Sequence, residues 1–181
     1  HRGEPDSGFM RMGTDNDKQI EPFHYHLRKG YIFVNTEPSL ISAVLGSAVA
    51  VCIWDRVLGI GGMSHFEYPR PGRRDKPTAR YGSVAVTALI RMLLQLGARR
   101  ENLEALVFGG GHRYAFAANM GHSNIKAARR ALKKSSIPII SEDVGGSQCR
   151  RLLYHTRTNE VLCMKTSKSQ QGDWYPYYLS G

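Results

Sequence analysis

From Gly30 onward the apolar residues fall into short runs broken by glycine, proline and charged turns, whereas residues 1–29 are polar and follow neither a two-residue nor a 3.6-residue period. That first stretch, rich in Gly, Asp and His, reads as a mobile extension outside the fold. Its opening His1-Arg2-Gly3, without an initiator methionine, reads as a processed or added end. Tyr31–Val34 has the composition of a short strand, and Leu40–Leu45 follows Glu37-Pro38-Ser39 and stops at Gly46-Ser47. Ala48–Trp54 is apolar at every position, as a central strand covered on both faces must be. After a turn at Asp55–Val57, Leu58–Phe66 forms a glycine-rich strand paired with its predecessor, with His65 near its end. Tyr68–Thr78 carries Pro69, Pro71 and Pro77 among basic residues, which neither a helix nor a central strand accepts, so it is a surface loop.

The period then changes. Tyr81, Val84, Ala85, Ala88, Leu89, Met92, Leu93 and Leu96 recur at three- and four-residue steps, predicting a helix over about Arg80–Leu96 with Gly97 as its stop. Leu103–Gly109 is a second buried strand running into Gly109-Gly110-Gly111, where the backbone turns sharply or approaches another segment closely. Ser123 is a candidate N-cap for a helix over about Asn124–Lys134, with Ile125, Ala128 and Leu132 inward and two lysines at its end. Ile137–Val144, Cys149–Thr156 and Val161–Lys165 complete the strands, the last two joined by a turn at Arg157–Glu160. The prediction is an α/β (α+β) layered sandwich: a mixed β-sheet core flanked by two main helices, over residues 30–165. Residues 166–181 form a tail whose Trp174, Tyr175, Tyr177 and Tyr178 dock on the body or await a partner.

Composition narrows the classes. A chain of 181 residues suffices for one domain that needs no disulfide or metal staple. Its apolar runs are strand-sized, well short of the ~18 residues of a membrane span, so no membrane insertion is expected. Cys52, Cys149 and Cys163 are odd in number and lack CxxC spacing, which fits reduced thiols in a cytoplasmic protein. The 25 Lys and Arg against 15 Asp and Glu give a net charge of +10. These cations are scattered over Arg70–Arg80, Arg99-Arg100, Lys126–Lys134 and Arg150-Arg151 without interleaved aromatic residues. That pattern fits a solvated surface, or attraction to an acidic protein partner, better than a nucleic-acid groove. There is no Walker loop, no GxGxxG after a strand, no HExxH and no convincing ligand spacing among the histidines, so no cofactor or metal is expected.

Five separated motifs carry the functional signal: Leu45-Gly46-Ser47-Ala48-Val49-Ala50-Val51, Gly61-Gly62-Met63-Ser64-His65-Phe66, Ala79-Arg80-Tyr81-Gly82, Phe108-Gly109-Gly110-Gly111 and Glu142-Asp143-Val144-Gly145-Gly146. In this order, across about Gly30–Lys165, they resemble the chemoreceptor glutamine deamidases of bacterial chemotaxis, the CheD family. The resemblance implies a papain-like Cys–His site geometry, with the nucleophilic cysteine directly after Leu-Gly-Ser. That position is Ala48 here. It further implies His65 as general base and acid, Ser42 in place of a threonine whose hydroxyl orients His65, and Gly46 and Ser47 beside the substrate and oxyanion. The partners it implies are cytoplasmic helices of methyl-accepting chemoreceptors and a CheC-type phosphatase.

A carboxamide is a poor electrophile, so the implied reaction needs a thiolate paired with imidazolium and backbone N–H groups for the tetrahedral oxyanion. A methyl group at position 48 supplies no nucleophile, which predicts an inactive chain. Cys52 is no substitute: four residues along a strand is roughly 13 Å, far beyond hydrogen-bond reach. An introduced Cys-to-Ala change and a natural non-catalytic relative that sequesters receptor or phosphatase both account for Ala48. The surviving His65 and the hydroxyl of Ser42 favour the former.

Overall fold

The structure, a computed structural model, describes residues 21–166. Two sheets and a helical layer stack on one another, which is the α+β sandwich that the apolar pattern predicts. The chain runs β1 (Phe23–His26), β2 (Tyr31–Asn35), β3 (Ser39–Leu45), β4 (Val49–Asp55), β5 (Ile60–Phe66), α1 (Gly82–Gln95), β6 (Leu103–Gly109), α2 (Ala118–Lys134), β7 (Ile139–Val144), β8 (Cys149–His155) and β9 (Val161–Thr166). One sheet has the order β2-β5-β4-β6-β7 and the other β1-β3-β8-β9.

Alternation along β4 explains the layering. Val49, Val51 and Ile53 face α1 and α2, where they meet Val86, Leu89, Leu93, Ile125 and Leu132. Ala50 and Cys52 face the other way, against Ile41, Ala43 and Leu45 of β3 and Leu152 and Tyr154 of β8. A strand buried on both faces is therefore apolar throughout. Asp55 at its end is fully buried yet satisfied: its carboxylate accepts from the backbone N–H groups of Val57, Leu58 and Arg99 at 2.8–3.0 Å.

Two sequence expectations are corrected. Residues 23–29, placed in a mobile extension, belong to the fold: β1 pairs in parallel with β3, and Leu27 is fully buried between the sheets. The segment Phe23-His24-Tyr25-His26 escapes a period search because it is a four-residue edge strand with mostly exposed side chains. In α2, the helix begins at Ala118, so Ser123 lies inside it and caps nothing. Its buried stripe is Gly121, Asn124, Ile125, Ala128 and Leu132, and the first two are not apolar, so the stripe looks shorter in the sequence than it is. The expected docking of the aromatic tail falls on residues outside those described.

Candidate active site

The loop between β3 and β4 is held by its own carbonyls. Gly46 O accepts from Gly111 N–H (3.0 Å), Ser47 O from the side-chain amide of Asn124 (2.9 Å) and Ala48 O from Gly110 N–H (2.9 Å). Gly109 and Gly110 make this possible, because both have positive φ and a Cβ on either would run into the Ala48 carbonyl or the Ile125 side chain. With all three carbonyls engaged, the N–H groups of Gly46, Ser47 and Ala48 find no acceptor among the described residues.

Across the sheet, β5 delivers His65. It stands directly opposite Ala50 on one side and opposite Tyr31 of the edge strand β2 on the other. Ala48 precedes Val49, the partner of Phe66, so the register sets it diagonal to His65. Such pairs lie about 7–8 Å apart at Cα, within reach of longer side chains. Both positions are buried, with Ala48 3% and His65 2% exposed, while Tyr31 is more than half exposed and flanks the histidine on the open edge.

The imidazole has one fixed nitrogen and one free one. His65 Nδ1 lies 2.9 Å from the Leu27 carbonyl, which only accepts, so Nδ1 carries the proton and Nε2 presents its lone pair. Nε2 is buried without a hydrogen-bond partner among the described residues. Burial lowers the ring's pKa from 6.5 to about 4, against the opposing pull of the Leu27 bond and with smaller downward contributions from Lys29 and His26. At neutral pH the ring is therefore an uncharged base.

Ser42 sits elsewhere than the sequence implied. Along β3, Ile41, Ala43 and Leu45 face the five-stranded sheet, so Ser42 projects from the opposite face, where its Oγ meets His26 Nδ1 at 3.0 Å. The direct Ser42–His65 hydrogen bond is replaced by a backbone relay: Leu27 N–H donates to Ser42 O (2.8 Å), and Leu27 O accepts from His65. Cys52 is buried opposite Met63 in the inter-sheet core, and burial pushes its thiol well above the usual range.

Two further residues build the site that the sequence did not disclose. A carbonyl such as that of Leu27 leaves no residue-type signature. Asn124 does leave one, a polar residue on the buried stripe of α2. It is 0% exposed, and its Nδ2 donates both to Ser47 O (2.9 Å) and to Glu67 O (3.0 Å). One amide thus ties the loop before Ala48 to the strand end just beyond His65. Among the described residues no helix is long and apolar enough to cross a membrane.

A layered α+β domain with a buried base diagonal to a loop whose backbone N–H groups have no acceptor among the described residues is an arrangement suited to acyl-group chemistry. The family model described as CheD chemotactic sensory transduction matches residues 68–165, a stretch that begins just after His65. Among curated proteins, the chain is 44% identical over 142 residues to a probable chemoreceptor glutamine deamidase CheD of Thiobacillus denitrificans, covering 75% of this chain and 70% of that protein. It is 43% identical over 133 residues to a protein of the same description from Anaeromyxobacter dehalogenans (72% and 77% covered), and 44% identical over 163 residues to one from Dechloromonas aromatica (84% and 81%). The chain belongs to the CheD family.

Proposed function

We propose that this fold hydrolyses the side-chain amide of chemoreceptor glutamines to glutamate through a thiol at position 48, and that the chain with Ala48 binds its target without converting it. The observation that carries the reading is the buried His65: Nδ1 is held by Leu27, and Nε2 is unoccupied and diagonal to position 48. The deamidase names of the relatives support the same chemistry.

With cysteine at 48, Nε2 takes the thiol proton and the sulfur attacks the amide carbon of glutamine. The oxyanion that forms is met by backbone N–H donors of the Gly46–Ala48 loop, whose carbonyls are tied elsewhere. Imidazolium returns the proton to the departing ammonia, leaving a thioester. Water, deprotonated by the same nitrogen, then attacks the thioester and releases glutamate and thiol. Asn124 and the Leu27 carbonyl touch neither reactant; they fix the loop and the ring relative to each other. Ser42 acts on His65 through the Leu27 peptide.

A second reading follows from Ala48 itself: a non-catalytic module of the cytoplasm that sequesters receptor helices or a CheC-type phosphatase. Mass spectrometry of a glutamine-containing receptor fragment, incubated with this chain and with Ala48→Cys, separates the two. Conversion only with the restored thiol assigns nucleophile and reaction together. Binding without conversion in both chains sinks the deamidase reading and leaves the module.

A further inference from the structure

The outer surface of the helical layer carries a groove between α1 and α2 of about 580 Å³. Its cations are Arg70, from the loop after β5, and Lys126, Arg130 and Lys134, which recur every fourth residue along α2. Its floor includes the small residues Ala127 and Ala131. Among the described residues no acidic side chain lines it.

Several cations elsewhere on the molecule are paired. Arg80 pairs with Glu67, Arg129 with Glu142, and Arg150 and Lys165 with Asp143, at 2.6–3.0 Å. Arg70, Lys126, Arg130 and Lys134 have no hydrogen-bond or ion-pair partner among the described residues. Arg129, one step from Arg130 on the same helix, is neutralised by β7, whereas its neighbour faces the groove uncompensated. A row of like charges about 6 Å apart along one helix is mutually repulsive and is relieved by carboxylates at the same spacing.

We propose that this groove docks an acidic α-helix whose carboxylates lie four residues apart, and that the occupant is a helical segment of the protein bearing the target glutamine; this last identification rests on the deamidase reading. A third helix laid between two others fills a ridge-and-groove layer, and small floor residues allow close approach. Among the described residues no aromatic side chain lines the groove for bases to stack on, which favours a polypeptide over a single-stranded nucleic acid. It also adjoins the site: Ser123 lines it beside Asn124, and Pro69 and Arg70 follow the Glu67 that Asn124 holds.

The test is titration of a labelled synthetic helix of about 20 residues, alanine-rich with Glu at every fourth position, into the full chain and into its Lys126→Ala/Arg130→Ala/Lys134→Ala variant. The expected result is affinity that falls with salt and drops roughly tenfold or more in the variant. The Lys126→Arg/Arg130→Lys/Lys134→Arg variant, which keeps the charge, should retain binding. In the Ala48→Cys background the alanine variant should raise KM for a receptor fragment by a similar factor with kcat unchanged, the mark of lost ground-state binding. Equal peptide affinity in the chain and the alanine variant overturns the proposal, and so does a thymidine oligomer that binds more tightly than the peptide and is lost in the same variant. Peptide binding that is lost in the variant, with no conversion by Ala48→Cys in any background, upholds the groove and sinks the deamidase reading alone.

Discussion

The two faces of β4 are equally buried and built for different ends. Toward the helices stand Val49, Val51 and Ile53, large branched side chains packed on Leu89, Leu93 and Leu132. Toward the second sheet stand Ala50 and Cys52, small residues that face Met63 and Phe108 and leave room for the imidazole of His65 beside them. One face is filled by volume. The other trades volume for a polar ring with a free nitrogen, which an apolar layer tolerates only because the opposite nitrogen is bonded. Substitutions on the first face should therefore register as stability, and those on the second as chemistry.

The largest effect lies on the second face. Ala48→Cys should raise the rate of Gln-to-Glu conversion by at least about 10³-fold, with His65→Ala in that background abolishing the gain. Mass spectrometry of the receptor fragment reads both. Next comes the helix face, where Leu89→Ala should cost about 2–5 kcal/mol by leaving a cavity between α1 and the five-stranded sheet. Urea denaturation measures that loss, and kcat in the Ala48→Cys background should stay unchanged wherever the variant is folded. If Leu89→Ala alters kcat as strongly as stability, the division between the faces fails.

The pH dependence of stability tests the second face without catalysis. The folded ring titrates at about 4 because it is buried, and the unfolded ring at the ordinary 6.5. Between those values the unfolded chain binds the extra proton. The stability present above pH 6.5 is therefore lost progressively as pH falls toward 4, by about 3 kcal/mol in all. His65→Gln should flatten most of that slope in denaturant midpoints collected across the range. A smaller slope of the same sign remains from His26, lowered first by its partial burial and then by Arg28 and Arg151.

How far the sequence disclosed this comparison depends on which atoms do the work. The apolar run through β4, the glycine-rich β5 and the heptad-like spacing in α1 are side-chain patterns, and they read out directly as strands, pairing and a buried helix face. His65 is named by its motif, and the structure buries it on β5 with Nδ1 held by a carbonyl. The Leu27 carbonyl was not, because any residue supplies a carbonyl and the strand that places it exposes most of its side chains. Ser42 shows the opposite failure: the residue type suited the role, but two-residue alternation on β3 turns its hydroxyl away from the layer that holds His65. Asn124 was hidden by being polar on a stripe sought for its apolarity.

Asn124 joins the faces, since it rises from the helical layer to grip both segments of the site. Asn124→Ala in the Ala48→Cys background should lower kcat by about 10–100-fold with KM nearly constant, and cost about 1–3 kcal/mol for the two part-buried carbonyls left without this donor. Asn124→Asp keeps the shape and loses the donor, so it should fail equally. Asn124→Gln with restored kcat at unrestored stability would show that the amide's donation, and not the packing, sets the rate.

The smallest expected effect is also the sharpest discriminator, because it separates the hydroxyl of Ser42 from its peptide. Ser42→Ala keeps the carbonyl that holds Leu27 and removes only the bond to His26. If the relay through Leu27 is what fixes the imidazole, kcat in the Ala48→Cys background should change by less than about 3-fold and stability by about 1 kcal/mol or less. The His65 tautomer, followed by ring-nitrogen chemical shifts, should remain Nδ1–H. A fall in kcat of about tenfold or more, with a shifted tautomer equilibrium, would mean that the hydroxyl swings to the imidazole during turnover. In that case β3 contributes its side chain as well as its backbone to the base, and the chemical face of the molecule extends through the second sheet to the far side of Ser42.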